Sequence, residues 1–291
     1  DHQAVDWPGV KTLVAYDGSE AARRALELAA DLAGGSGDIG IVHVVPSRAE
    51  PGVDHEAQQE EALAEAHRWI GERGRTATTL RRRGDPAREL IDGAREIEAD
   101  FLVVGSRGRG PLSSAVLGSV SSAVAAAAGS PVLVVPPHGR LRGRCVIAAV
   151  DGSDASGETA RVAAELSGRL QVPLLLAHAF VARFAPGVSV VPHAQEELVQ
   201  TSREQAERLL AGAADEQGLA PDATRLVTGA SETAAILSLA EEEEAWMIAV
   251  GSRGRGSVKS AVLGSFSAAL AAHASCPVLV VPPGAGKAFA A

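Results

Sequence analysis

One glycine-rich loop is written twice in this chain, 146 residues apart, and that spacing constrains the fold more than any other feature. Residues 105–119 read GSRGRGPLSSAVLGS and residues 251–265 read GSRGRGSVKSAVLGS. A period of some 20–50 residues would signal a solenoid, whereas this one has the length of a whole domain. Other landmarks recur in the same order. LVAYDGSEAARRALELAADLA (13–33) is matched by IAAVDGSDASGETARVAAELS (147–167), IVHVVP (41–46) by LLAHAF (175–180), and SPVLVVPP (130–137) by CPVLVVPP (276–283). A chain of 291 residues also suits two domains of ordinary size. We expect domains at 9–137 and 143–283, joined by PHGRLRGR (137–144), whose Pro, Gly and Arg content reads as a linker.

Within each copy, short β-branched runs alternate with long Ala/Leu/Glu/Arg stretches. In the first copy the pattern predicts strands near 11–16, 39–45, 76–82, 101–105 and 131–135, with helices near 19–34, 55–73, 86–98 and 113–128. Ala22, Leu26, Ala29 and Ala33 form an apolar stripe along the first helix. Ser19 and Ser153 stand where they can cap their helices. Alternation of this kind implies α/β architecture: two tandem doubly wound domains, each a five-stranded parallel sheet flanked by about four helices. The second copy carries about twelve extra residues near RFAPGVSVVPH (183–193), a Pro-containing surface loop.

Composition agrees and narrows the function. The chain is 46% hydrophobic but only 3% aromatic, so its core is built from Ala, Val, Leu and Ile. A net charge of −9 argues against a general nucleic-acid or anionic-membrane binder. It leaves room for a small anion in a locally positive loop. Two cysteines, Cys145 and Cys276, are too few for a disulfide framework and point to the cytoplasm. No apolar run approaches the ~20 residues of a transmembrane helix, and the first residues do not read as a signal peptide.

The loop itself lacks bulk and offers free backbone N–H groups, which suits close approach to phosphate oxygens. It is not a Walker loop, because neither copy has Lys-Ser or Lys-Thr at the required spacing. It is not a dinucleotide fingerprint either. Ser113 stands where the third glycine belongs, and the loop follows the fourth strand rather than the first. The spacing is G-x2-G-x9-G-S in both copies. Gly118-Ser119 and Gly264-Ser265 can open the last helix of each copy, where unpaired N–H groups and the helix dipole favour an anion. Arg107, Arg109, Arg253 and Arg255 add positive charge in an acidic protein. Asp17 and Asp151 end their first strands at the carboxyl edge, where open α/β sheets bind ligands. They can accept from a ribose hydroxyl or help hold a metal bound to phosphate.

The glycine spacing, the Asp after the first strand and the His-Val or His-Ala after the second together resemble the universal stress protein family, in its ATP-binding, tandem two-domain form. The resemblance covers nearly the whole chain. It implies a nucleotide α-hydrolase-like fold and one ATP site per domain, with Mg2+. Carried over residue by residue, it places the first site at Asp17, Val44, Gly105, Gly108, Gly118 and Ser119, to which the charge reading adds Arg107. The second falls at Asp151, Ala179, Gly251, Gly254, Gly264 and Ser265, with Arg253 added on the same ground of charge. One difference, GDP (84–86) against GAS (229–231), weighs against equal affinity of the two sites. The resemblance also implies that the last strands, PVLVVP in each copy, pair between domains as a built-in dimer. Chains can pair again, as a homodimer, through other surfaces.

Plainer readings stand beside these. A glycine loop can be only a turn, the arginines only solvated, and the two aspartates only turn residues. His43 and His178 read as structural, and His55 and His67 lack the partners of a metal site, so no metal-ligating set is assigned. The run Glu241–Glu244 reads as a solvated helix end, Arg83-Gly84-Asp85 as a turn, and Trp7, Trp69 and Trp246 as packing residues. Ser19, Ser113 and Ser121 are hydroxyls open to phosphorylation on sequence grounds alone. No catalytic constellation is placed by motif. We therefore expect an adenine-nucleotide sensor or regulator in the stress response, with at most slow ATP hydrolysis. The alternatives are an active ATP hydrolase or nucleotidyl-transfer enzyme of related fold, and a structural dimerisation protein.

Overall fold

A computed structural model describes residues 11–33, 38–47, 54–108, 116–181, 192–254 and 262–285, with the backbone alone at 192–198. Arg109, Arg255, Ser113 and Trp7 lie outside the described residues, as does most of the loop at 183–193.

The first half runs β1 (Lys11–Ala15), α1 (Glu20–Leu32), β2 (Asp38–Pro46), α2 (His55–Gly71), β3 (Thr78–Gly84), α3 (Pro86–Glu96), β4 (Phe101–Gly105), α4 (Ser119–Ala127) and β5 (Val132–Val135). The second half repeats it. It runs β6 (Cys145–Ala149), α5 (Asp154–Leu170), β7 (Leu174–Phe180), α6 (Pro192–Glu216), β8 (Thr224–Thr228), α7 (Glu232–Glu242), β9 (Ala245–Gly251), α8 (Ser265–His273) and β10 (Val278–Val281). Boundaries fall within a few residues of expectation, with one correction. The stretch read as a helix from 113 starts its helix only at Ser119. Gly118 has extended dihedrals (φ −59°, ψ 146°), and the helix begins after it.

Strand order is β3-β2-β1-β4-β5-β10-β9-β6-β7-β8 in one ten-stranded sheet. Pairing within each half is parallel, and the halves join where β5 meets β10 antiparallel. Val134 opposes Val278 and Val132 opposes Val280, with Leu133 facing Leu279 at the centre. The seam is therefore symmetric about that leucine pair. All eight residues of β5 and β10 are buried, so the sheet core runs through the junction without a break.

Two apolar layers cover the sheet. Leu26, Leu28 and Leu32 of α1, Leu63 and Ile70 of α2, Val162 and Leu166 of α5, and Leu210 of α6 pack on one face. Leu90 of α3, Val124 of α4, Ile236 and Leu239 of α7, and Leu270 of α8 pack on the other. Each face needs its helices, because parallel strands buried on both sides carry apolar residues throughout.

The segment expected to be a loose linker is a clasp. Arg142 makes a bidentate pair with Asp31 of α1, Nε donating to Oδ2 and Nη2 to Oδ1 (both 3.1 Å), while Arg140 reaches Glu241 of α7 (2.7 Å). Arg140 N–H also donates to Ser275 O (2.7 Å), and Arg24 Nη2 donates to Gly139 O (2.8 Å). Gly139 has φ +102°, and a Cβ there would lie 1.9 Å from Ser275 O, so only glycine fits.

Candidate functional site

In each half the strand order reverses between the first and fourth strands, β1/β4 and β6/β9. Crossovers to either side of such a point leave sheet faces in opposite directions and open a crevice at the carboxyl edge. Asp17 and the loop after Gly105 flank the first crevice; Asp151 and the loop after Gly251 flank the second.

The aspartates do two jobs at once. Asp17 Oδ1 accepts from Ser19 N–H (2.9 Å), and Asp151 Oδ1 accepts from Ser153 N–H (3.0 Å) and Oγ (2.6 Å). That is the turn expected of the plainer reading. The other oxygen faces the glycine loop. A Cβ on Gly108 would stand 2.8 Å from Asp17 Oδ2, and one on Gly254 3.1 Å from Asp151 Oδ2. A side chain at either glycine would push the carboxylate aside, so glycine lets the loop and the aspartate lie close together.

The loop then folds back to start α4 or α8. Gly118 N–H donates to Ser106 O (2.9 Å) and Gly264 N–H to Ser252 O (3.0 Å). Ser121 Oγ donates to Gly105 O (2.6 Å) and Ser267 Oγ to Gly251 O (2.7 Å), pinning each helix to its strand. Side chains cap α1, α2, α3, α5 and α7 through Ser19, Asp54, Asp85, Ser153 and Ser231. At α4 and α8 the cap residue is Gly118 or Gly264, with no side-chain cap bond. The first N–H groups of these two helices are left for water or an anion.

In the second half these residues line one cavity of about 670 Å³. All seven positions expected from sequence, Asp151, Ala179, Gly251, Arg253, Gly254, Gly264 and Ser265, are on its wall. The volume lies in the range of small-molecule sites. In the first half Asp17, Gly105, Arg107, Gly108, Gly118 and Ser119 gather through the matching contacts. Val44 lies near the carboxyl end of β2, packed toward the same face of the sheet as Ala179.

Some residues in and around the loops were given no part in the site from sequence. Ser106 and Ser252 sit inside the duplicated GSRGRG, are 2% and 1% exposed, and their hydroxyls find no hydrogen-bond partner among the described residues. Arg253 Nε is likewise buried without a partner. Ser121 and Ser267 repeat two residues after each Gly-Ser, a signal visible in the duplication. Glu232, Phe180, Ile236 and Phe266 also line the second cavity. They differ between copies and carry no repeat to mark them. His178, read as structural, is held by a Nδ1–H bond to Val150 O (2.7 Å), which leaves its ring edge on the cavity wall. Among the described residues no cluster of three or more His, Cys, Asp or Glu could hold a metal, and no helix is long and apolar enough to cross a membrane.

The family model described as the universal stress protein family matches residues 10–136 and again 144–282. The chain belongs to the universal stress protein family. A universal stress protein of Mycolicibacterium smegmatis is 33% identical over 233 residues, which is 77% of this chain and 72% of that protein. A shorter universal stress protein of Bacillus subtilis is 33% identical over 144 residues, 43% of this chain and 97% of its own length. Among solved structures, a universal stress protein from Archaeoglobus fulgidus covers 94% of this chain and 98% of its own, with TM-score 0.67 and 26% identity. The universal stress protein fold thus extends over both halves.

Proposed function

We propose that each half binds an adenine nucleotide, ATP with Mg2+, and that the protein acts as a nucleotide-dependent regulator in the stress response rather than as a rapid hydrolase. The observation that carries this reading is the cavity of the second half, whose wall brings together the uncapped N-terminus of α8, Gly251, Gly254, Arg253, Ala179 and Asp151. An anion gains from the free N–H groups and dipole of α8, and Arg253 supplies charge. Arg253 is on the cavity wall and its Nε has no partner among the described residues, so a phosphate oxygen gives that donor an acceptor. Mg2+ retains several waters and needs only one or two carboxylates beside the phosphates, a demand that Asp17 or Asp151 meets alone.

Regulation rather than turnover is favoured by how the polar groups are tied. Asp151 spends one oxygen on Ser153, and His178 spends Nδ1 on Val150 O. The test is calorimetric titration of the wild type and the Gly118→Ala/Gly264→Ala variant with MgATP. The added Cβ atoms fall 3.1 and 3.3 Å from Ser106 O and Ser252 O, so the helix N-termini must shift. Loss of one charge-assisted bond per site weakens binding about tenfold or more. Equal affinity in the variant contradicts the assignment. Phosphate release that outpaces nucleotide exchange favours the hydrolase instead.

A further inference from the structure

Another cavity, of about 800 Å³, lies beside α5 and α6, whose apolar residues belong to the layer opposite α7 and α8, and it meets the nucleotide cavity at Val150, His178 and Phe180. Val150 and Ala160 floor it, and Asp154, Arg208 and Glu216 stand on its rim. Its origin is visible when the halves are set in register. Gly74 and Gly218, both with positive φ, end the turns after α2 and α6. Arg75 N–H returns to Ile70 O and Leu219 N–H to Ala214 O in the same pattern. With DGS at 17–19 and 151–153, this register pairs Tyr16 with Val150, Arg23 with Gly157, Leu26 with Ala160, Glu65 with Leu209 and Trp69 with Ala213.

The first half fills this space with its own side chains. Tyr16 and Leu26 are 2% and 1% exposed. Arg23 Nε donates to Glu65 Oε1 (2.7 Å), bridging α1 and α2, and Trp69 packs on the same core beneath the Arg73 guanidinium. In the second half the tyrosine, arginine, leucine and tryptophan become valine, glycine, alanine and alanine, and the ion pair is gone. Packed interiors hold few voids larger than a water molecule, so a solvent-connected space of this size is a pocket.

We propose that this cavity binds a small cationic aromatic molecule, whose ring takes the places that Tyr16 and Trp69 fill in the first half and whose positive group lies at the acidic rim, since Leu209 stands where Glu65 held Arg23. Val150, Ala160 and Leu209 give it an apolar floor, and Phe180 an aromatic face suited to a cation. Among the described rim residues Asp154 and Glu216 outweigh Arg208, which favours a positive group over a negative one. The site borders the nucleotide cavity, with Val150, His178 and Phe180 on both walls, but among the described residues its lining includes none of Asp151, Gly251, Arg253, Gly254, Gly264 and Ser265.

The probe is 4-aminobenzamidine, titrated by fluorescence and calorimetry into nucleotide-free full-length protein. We expect saturable binding of one equivalent per chain, lost in Val150→Tyr/Gly157→Arg, which restores the first half's side chains. Ala213→Trp, which copies Trp69, is a second and independent way to fill the space and gives the same loss. Thermal melts establish that each variant is folded. No saturable binding by the wild type, or binding retained in a folded variant, overturns the proposal. Because no nucleotide is present, either failure leaves the nucleotide reading untouched.

Discussion

At Gly105 a Cβ would lie 2.8 Å from Ala21 Cβ and 3.0 Å from its carbonyl carbon, in a wall of backbone that cannot yield. At Gly251 the nearest atom is Arg253 O at 3.1 Å, and beyond it Thr159 Oγ1 at 3.5 Å. Gly105→Ala should therefore cost about 1–3 kcal/mol by overpacking, and Gly251→Ala clearly less, as read from urea midpoints. Equal costs would show that the strand–helix contact is not what selects glycine in the first copy. The thiols make a second prediction at this scale. Burial pushes Cys145 up to about 11 and Cys276 up to about 12, and burial with Glu65 pushes Tyr16 up to about 12. Both thiols should resist a disulfide reagent at neutral pH in the native protein and react when it unfolds. All three groups are held protonated by the fold, so their contribution is complete below the unfolded values and is lost as pH rises through the native ones. Stability should fall between about pH 9 and 12, and less steeply in Cys145→Ala/Cys276→Ala. A flat alkaline limb contradicts that assignment. Single residues were only partly legible in the sequence. Asp17 and Gly108 were legible separately, but their close approach is a three-dimensional fact. Ser106 and Ser252 were in plain view and lacked any pattern that marks a buried hydroxyl.

Among the elements, the helix N-termini separate structure from function. Ser19 Oγ accepts from Ala22 N–H (3.2 Å), so Ser19→Ala removes a cap and should cost about 1 kcal/mol. Ser119 is the first residue of α4, behind a glycine cap, so Ser119→Ala should leave stability nearly unchanged while weakening nucleotide binding. Paired melts and titrations test this, and a stability loss at Ser119 equal to that at Ser19 would mean that the loop is only structural. Helices and strands were largely legible because apolar periodicity and caps act over a few residues. The start of α4 was not. SSAVLGS has helix formers before Gly118, and tertiary bonds from Gly118 N–H to Ser106 O and from Ser121 Oγ to Gly105 O fix the later start.

For the whole molecule, the β5–β10 seam is the decisive contact. Its symmetry about Leu133 and Leu279 means that a second copy of the first half can take the position of the second. Residues 1–137 alone should therefore self-associate through an exposed apolar edge strand, and sedimentation should report a dimer. A stable monomer would show that the seam is not a self-sufficient interface. Pairing of the last strands followed from the family resemblance. The clasp through Arg140 and Arg142 did not, because a Pro/Gly/Arg segment reads the same whether loose or tied down. The copy-specific cavity between α5 and α6 was also hidden, since it is made by losses of bulk on separate elements. The most direct test of two duplicated nucleotide sites is calorimetric titration of nucleotide-stripped protein with MgATP. The account predicts saturation at two nucleotides per chain, with unequal affinities, and loss of both in Gly118→Ala/Gly264→Ala. Absence of saturable binding, or saturation that survives in that variant, would contradict it.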